Sequence, residues 1–276
     1  IENAVPIIMG ANIGTSVTNT LVSVGHISRP DEFKRAFAAA TVHDFFNLIA
    51  VLVLFPLQLG TNFLGRTASF ATTVFGEAGG MKFTSPLKMI VKPSVELIER
   101  LTGDNGVAIL IVSFVLLFVA LRYIVVNLRK LVIGRVEAFF STKLFNNAFR
   151  AMLLGLVVTV AVQSSSITTS LAVPLAGAVI LTLMQIFPFT LGANVGTTIT
   201  AMLASLVTGS PAAVTVAFAH LFFNIFGILI IWPIRRLPVF LATRLAEWSL
   251  KSKLIPLAYI AIAFFLIPLI LIKFGR

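Results

Sequence analysis

Two polar segments stand out because the surrounding sequence is apolar enough for a lipid bilayer. The first is Gln163-Ser-Ser-Ser-Ile-Thr-Thr-Ser, and the second, after an apolar stretch, is Gly192-Ala-Asn-Val-Gly-Thr-Thr-Ile-Thr. Bare amides and hydroxyls in hydrocarbon cost on the order of several kcal/mol each, so something must bridge or occupy them. Serines that enter a helix offer hydroxyls and backbone N–H groups to an oxyanion, whereas neutral oxygens suit Na⁺. The pattern predicts a site for phosphate or a carboxylate, for Na⁺, or for both.

The composition places these segments in an integral membrane protein. Hydrophobic residues make up 58% of the 276 residues and charged residues 11%, and the mean hydropathy is +1.03, far from the values of soluble domains. Five apolar segments are long enough to cross a hydrocarbon core of about 30 Å as helices. They cover residues 36–57, 106–126, 187–207, 212–234 and 254–272. We therefore predict an all-α, multi-pass membrane protein.

Charge and motif content exclude other function classes. The net charge of +11 would favour nucleic-acid binding in a soluble protein, but here the basic residues cluster between apolar spans, where they set topology. We find no catalytic constellation, metal-spaced His/Cys set or phosphate-binding loop, and the chain has no cysteine. The sequence predicts neither an enzyme nor a bound cofactor.

The chain contains an internal duplication. The segment Pro6-Ile-Ile-Met-Gly-Ala-Asn-Ile-Gly-Thr-Ser-Val-Thr aligns with Pro188-Phe-Thr-Leu-Gly-Ala-Asn-Val-Gly-Thr-Thr-Ile-Thr, and His43-Asp-Phe-Phe-Asn aligns with His220-Leu-Phe-Phe-Asn. The connector between the matched blocks carries Arg29, Lys34 and Arg35 in copy one, but no charge in copy two. By the positive-inside rule the two connectors lie on opposite sides of the membrane, which predicts inverted repeats.

This topology predicts discontinuous helices that meet near the bilayer midplane and a re-entrant hairpin in each repeat. In copy two the hairpin covers residues 149–186 with residues 163–169 at its tip, because the stretch from 150 to 163 spans only about 20 Å as helix. We predict five regions: repeat one at 1–57, an external loop at 58–105, a transmembrane helix with a basic connector at 106–147, repeat two at 148–234, and a connector with the last span at 235–276. Within the external loop we predict two short amphipathic helices, at 86–93 and 95–101.

Several polar residues within the spans allow two interpretations. Asp44 is acidic within an apolar span, where a charge costs about 2.5 to 3.5 kcal/mol, so we expect either a bound cation or pairing with Lys34 or Arg35 near the helix end. His43 and His220 suit structural hydrogen bonds better than proton transfer. Asn47 and Asn224, one helical turn later, could reach a central site. The Ser, Thr and Gly residues of the motifs could instead serve helix packing.

Together these motifs resemble the type II sodium–phosphate cotransporters. The resemblance rests on residues 6–20, on Arg35-Ala-Phe-Ala-Ala-Ala-Thr-Val-His-Asp-Phe-Phe-Asn with Pro56, on Gln163-Ser-Ser-Ser, and on Gly192-Ala-Asn-Val-Gly-Thr-Thr. It implies Na⁺-driven phosphate uptake through two inverted repeats, each with such a serine motif at a hairpin tip. In that family an acid at the position of Asp44 accompanies electrogenic transport, and Gly replaces it in the electroneutral form.

The resemblance and the polar segments together give a set of predicted ligands. The predicted phosphate ligands are Ser164, Ser165, Ser166, Asn12, Thr15 and Asn194. The predicted ligands of Na⁺, the coupling ion, are Gln163, Ser164, Thr197, Thr198, Thr200, Asn47 and Asp44. The same residues are compatible with a sodium-independent exporter or exchanger of phosphate or another oxyanion, and with a non-transporting scaffold.

Two departures from the family pattern bear on origin and completeness. The first serine motif would precede Ile1, so we expect half of the site to lie outside this sequence. Residues 58–105 lack the cysteines and the glycosylation sequon of animal members, which favours a bacterial protein of the inner membrane.

Overall fold

The computed structural model describes residues 4–75, 86–103, 105–131, 144–208, 210–252 and 254–274. The described residues are all-helical and contain no strand. The first half of the chain forms α1 (Ala4–Gly14), α2 (Val17–Val24), α3 (Pro30–Thr61), α4 (Phe63–Phe75), α5 (Pro86–Thr102) and α6 (Gly106–Leu131). The second half forms α7 (Ala148–Val162), α8 (Ser165–Gly177), α9 (Leu183–Thr208), α10 (Pro211–Ile231), α11 (Arg236–Ser249), α12 (Leu254–Ile260), a π-helical segment (Ala261–Leu266) and α13 (Ile267–Phe274).

Among the described residues, four stretches are long and apolar enough to cross a membrane: Ala4–Val24, Pro30–Thr61, Leu183–Leu206 and Pro211–Ile231. Three of them correspond to the predicted spans 36–57, 187–207 and 212–234. The stretch Ala4–Val24 was not among the predicted spans, because its serines, threonines and asparagines lower its hydropathy to 1.2. Helices also occupy 106–126 and 254–272, whose crossing of the membrane stays a prediction. The chain is a multi-pass membrane protein.

The two Gly-Ala-Asn motifs differ in backbone structure. The helix of copy one ends at Gly14 and resumes at Val17, so the predicted discontinuity is present at residues 15–16. The prediction of discontinuous helices is wrong for the copy-two motif, where α9 runs without interruption from Leu183 to Thr208 and includes the predicted span 187–207. A further break separates α7 from α8 at Gln163 and Ser164, within the predicted tip 163–169.

The long helix α3 lies at the centre of the molecule. It contacts α1 and α2, which precede it in the sequence, and α8, α9, α10 and α11, which follow it. The buried rings of Phe46 on α3 and Phe187 on α9 pack edge to face, with centroids 6.2 Å apart, and Phe223 of α10 belongs to the same core. Because every element with a polar motif touches α3, this helix holds the motifs at fixed relative positions.

Glycines allow α7 to lie directly against α9. A Cβ added at Gly192 would overlap the Met152 carbonyl, and one added at Gly155 would overlap the Phe189 carbonyl. At Gly196 an added Cβ would lie 2.7 Å from Thr159 Cβ. The packing interpretation of these motif glycines is therefore correct for copy two.

The connectors differ in part from the sequence expectation. A 13-residue helix, α4, follows α3 within the region predicted as an external loop, and it packs against α10 through buried Leu64 and Ala68. One helix, α5, replaces the two short helices predicted at 86–93 and 95–101, with Pro93 inside it. Residues 76–85 and 132–143, which include much of the predicted basic connector, lie outside the described residues.

Candidate functional site

The serine motif forms the turn between α7 and α8. Gln163 ends α7 in a left-handed conformation with φ of 55°, and its backbone N–H donates to Thr159 O at 2.6 Å. Ser164 is the N-cap of α8, where its hydroxyl accepts from the Ile167 N–H at 3.3 Å. The first backbone N–H groups of α8, those of Ser165 and Ser166, have no partner within the helix, as at any helix start. This helix end therefore presents hydroxyls and N–H groups that suit an oxyanion.

The start of α8 lies against the break between α1 and α2. The Ser166 hydroxyl donates to the Thr15 carbonyl oxygen at 3.2 Å. One turn further, the Thr169 and Ser170 hydroxyls donate to Asn19 Oδ1 at 2.9 and 3.3 Å. The break leaves the Thr15 carbonyl without a helical partner on its own chain segment, which makes it available to Ser166. Polar groups 151 residues apart in sequence thus meet.

A second polar cluster, formed by Asn and His side chains of both copies, lies next to this contact. Asn12 Nδ2 donates to Asn47 Oδ1 at 2.9 Å and to Asn224 Oδ1 at 3.2 Å. Asn194 Nδ2 donates to the same Asn47 oxygen at 3.0 Å, and Asn47 Nδ2 donates to the Asn12 carbonyl at 3.0 Å. These four side chains are buried, so their amides stabilise one another where water is excluded.

The histidines join the cluster in a crossed arrangement. His43 of copy one lies 2.6 Å from Asn194 Oδ1 of copy two, and His220 of copy two lies 3.2 Å from Asn12 Oδ1 of copy one. Each histidine therefore contacts the asparagine of the other motif. Both histidines make structural hydrogen bonds.

Asp44 lies on α3 with no solvent exposure. Its Oδ2 accepts from the Tyr259 hydroxyl at 2.7 Å, and Ser16 lies beside the carboxylate. Its Oδ1 has no hydrogen-bond partner among the described residues. The expected pairing with Lys34 or Arg35 is wrong: the Lys34 ammonium contacts Glu247 at 3.2 Å, and the Arg35 guanidinium donates to the Gly177 carbonyl at 2.8 and 3.1 Å. A buried carboxylate with one free oxygen suits a cation.

The structure brings together only part of the predicted ligand set. Ser166 and Thr15 touch, and Asn12, Asn47 and Asn194 share one cluster. The Thr197, Thr198 and Thr200 hydroxyls instead donate to carbonyls of their own helix, at 3.1, 2.7 and 2.7 Å. Both hydrogens of the Asn12 amide are used by Asn47 and Asn224, so Asn12 binds no anion through its side chain in this conformation.

Three residues that border the site, Ser16, Asn19 and Tyr259, were not among the predicted ligands. Asn19 and Ser16 belong to the copy-one motif, and their position after Gly14 was a usable signal once a break was expected there. Tyr259 lies 215 residues from Asp44 in a span without other polar groups, so no sequence pattern connected the two.

Comparison with known proteins supports the family that these motifs indicate. A family model described as the Na⁺/Pi-cotransporter matches residues 116–236. Sodium-dependent phosphate transport protein 2A of Rattus norvegicus is 32% identical over 346 residues, which cover 97% of this chain and 54% of the relative. Protein 2B of Homo sapiens is 32% identical over 366 residues, with coverages of 98% and 53%. The chain thus spans about half the length of the curated relatives it matches, and no solved structure matches it.

The matched regions contain the residues that form the site. The family model includes the serine turn and the copy-two motif, and the relatives align with nearly the whole chain, including the copy-one motif. The chain belongs to the type II sodium-dependent phosphate cotransporter family.

Proposed function

We propose that this chain forms the binding core of a secondary active, Na⁺-coupled symporter for inorganic phosphate. The observation that carries the proposal is the contact between Ser166 and the Thr15 carbonyl. It places the start of α8 and the end of α1, both rich in uncharged oxygens, at a single point among apolar helices. The relatives named as sodium-dependent phosphate transport proteins support the choice of ions.

The start of α8 is the proposed phosphate side of the site. Ser164, Ser165 and Ser166 offer hydroxyls, and the first N–H groups of α8 point along the positive end of the helix dipole. Ser164 and Ser166 are half-buried, so an ion could reach them without unpacking the core. We expect phosphate to accept hydrogen bonds from these groups.

Asp44 and the neighbouring oxygens are the proposed cation side. The free Oδ1 of Asp44 and the Thr15 carbonyl, which the break leaves without a helical partner, are hard oxygen ligands of the kind Na⁺ prefers. A bound Na⁺ reduces the cost of bringing a phosphate anion into this low-dielectric region, so we propose that Na⁺ binds first. If the loaded site carries a net positive charge, the membrane potential adds about 2.3 kcal/mol per charge per 100 mV.

We extend the proposal to the architecture. The two copies form inverted repeats, α7 and α8 form a re-entrant hairpin, and one repeat moves against the other to expose the site alternately. The crossed contacts of His43 with Asn194 and of His220 with Asn12 support a two-fold relation between the copies. The lack of cysteine and glycosylation sequon in residues 58–105 supports a bacterial inner-membrane location.

The direct test is uptake of labelled phosphate by liposomes that contain the full-length protein. We expect an inward Na⁺ gradient to drive uptake and an equal K⁺ gradient to drive none. Uptake that is indifferent to Na⁺ would reject the coupling and point to a sodium-independent carrier. Absence of any uptake, and of any stabilisation by Na⁺ and phosphate, would point to a scaffold.

Asp44→Gly tests whether Asp44 sets the charge that moves. We expect the variant to retain Na⁺-dependent phosphate uptake while the accompanying current disappears, because one cation site is lost with the carboxylate. The measurement is uptake and current on the same liposome preparation. A normal current in the variant would remove Asp44 from the proposed cation site.

A further inference from the structure

Tyr259 connects the C-terminal helix to the proposed cation site. It lies at the end of α12, one residue before the last residue of that helix, and a π-helical segment, Ala261–Leu266, follows. Such π-helical turns are uncommon and often occur near functional sites. The Tyr259 hydroxyl donates to Asp44 Oδ2 at 2.7 Å. The serine and Gly-Ala-Asn motifs lie outside α12, so they assign no function to this helix.

The Tyr259 hydroxyl matters for Asp44 because few other hydrogen-bond donors surround the carboxylate. The carboxylate is fully buried, and the described residues place no lysine or arginine against it. The Ser16 hydroxyl, which lies beside the carboxylate, donates to the Ile13 carbonyl at 2.9 Å. A buried carboxylate without a cation needs hydrogen-bond donors, and a bond to a charged acceptor is stronger than a neutral one. Tyr259 supplies that bond to one oxygen and leaves the other free.

Three aromatic rings fix the direction of the Tyr259 hydroxyl. The ring packs edge to face against Phe37 and Phe264, with centroids 6.2 and 6.1 Å apart, and it packs at a tilt against Phe45 at 6.0 Å. A tyrosine in a membrane protein commonly directs its hydroxyl to water at the interface. Here the rings direct it to a buried carboxylate, so the donor is held in place before any ion binds.

We propose that Tyr259 is a positioning residue that holds Asp44 Oδ2 and thereby presents Asp44 Oδ1 to Na⁺, setting the affinity of the cation site. The inference rests on the proposed function. Loss of the hydroxyl frees the carboxylate to turn away, so Na⁺ must order its own ligand on binding. Loss of one hydrogen bond to a charged group corresponds to a change of about tenfold in affinity. The phosphate groups of α8 are not part of this contact.

The test compares two tyrosine-to-phenylalanine variants of the full-length protein in liposomes. Tyr259→Phe keeps the ring and removes only the hydroxyl. Tyr123→Phe is the matched control, because Tyr123 is the only other tyrosine and is 64% exposed on α6. We expect the half-saturating Na⁺ concentration of phosphate uptake to rise about tenfold in Tyr259→Phe and to stay unchanged in Tyr123→Phe. Half-saturating phosphate at saturating Na⁺ should stay unchanged in both.

An unchanged Na⁺ dependence in Tyr259→Phe would overturn the inference, and so would an equal loss of apparent affinity for both ions. Sodium-induced thermal stabilisation of the detergent-solubilised protein provides a second readout that does not need transport. It should shift to higher Na⁺ in the variant, even if maximal uptake falls because the variant is less stable.

A double substitution tests whether Tyr259 acts through Asp44. In the Asp44→Asn background, Tyr259→Phe should add no further change to the Na⁺ dependence, whereas independent effects would add. Additivity would overturn the inference. Failure of the proposed function is recognised separately, because the unmodified protein would then show no Na⁺-driven uptake at all.

Discussion

The two copies of the Gly-Ala-Asn motif have nearly the same sequence and different structures. In copy one the helix breaks after Gly14, and a Cβ added at Gly10 or Gly14 would meet no atom within 4 Å. In copy two the helix is continuous, and Gly192 and Gly196 are covered by α7. The comparison shows that the motif does not by itself impose a break. In copy two the close approach of α7 makes the motif a packing seam.

The helix break in copy one and the continuous helix in copy two also give the polar groups of the two motifs different partners. In copy one the break exposes the Thr15 carbonyl, which Ser166 contacts. In copy two the corresponding Thr197 hydroxyl donates to Ala193 O, within a regular helix. Within the described residues, copy one contributes the released carbonyl and copy two contributes the serine turn.

The largest expected effect concerns the covered glycine. Gly192→Ala places a methyl group on the Met152 carbonyl, which requires α7 and α9 to separate and should cost about 3 kcal/mol or more. Gly10→Ala meets open space in a helix and should stabilise by up to about 1 kcal/mol. Melting temperatures of the two variants of this 276-residue chain in detergent provide the measurement. Equal destabilisation by both would contradict the asymmetry.

A smaller difference in destabilisation is expected between two of the four cluster asparagines, Asn47 and Asn224. Asn47 accepts from Asn12 and Asn194 and donates to the Asn12 carbonyl, whereas Asn224 accepts only from Asn12 and donates over 3.4 Å to His220 O. Asn47→Ala leaves several buried polar groups unpaired and should destabilise by about 3 kcal/mol, whereas Asn224→Ala should cost about 1 kcal/mol. Chemical or thermal unfolding in detergent would measure both. The reverse order would contradict the central position of Asn47.

The smallest expected effect concerns the charged connector that only copy one has. Lys34 at the start of α3 lowers the pKa of Glu247 on α11 through a hydrogen bond, with Arg244 adding to the shift. A lowered pKa means that the ionised carboxylate stabilises the folded protein above its ordinary pKa of about 4.3, and that this contribution is lost as the pH falls through the lowered value. Solvent screens this pair, so the effect is small.

Glu247→Gln is the corresponding variant. We expect a slightly lower melting temperature than the parent chain at pH 7 and a difference that shrinks toward pH 3. Thermal unfolding at the two pH values measures it. A difference that grows on acidification would contradict the assigned direction of the pKa shift.

Much of the helical architecture could be predicted from the sequence, because hydropathy and length determine which segments can cross a bilayer. The match of His43 and Asn47 with His220 and Asn224 also indicated residues that meet in the structure. Helix continuity at 192–198 could not be predicted, since it depends on the close approach of α7 to α9. The same holds for Lys34 and Arg35, whose partners Glu247 and the Gly177 carbonyl lie more than 140 residues away.

The central claim is that the serine turn of α8 and the break at Thr15 together hold phosphate in a Na⁺-dependent way. Because the chain has no cysteine, Ser166→Cys introduces a single thiol whose modification by a water-soluble thiol reagent can be timed. At phosphate about ten times its Kd with Na⁺ present, the unliganded fraction and the modification rate should fall about tenfold, and phosphate without Na⁺ should give little protection. A modification rate that is the same with Na⁺ and phosphate, with either alone, and with neither would contradict the account.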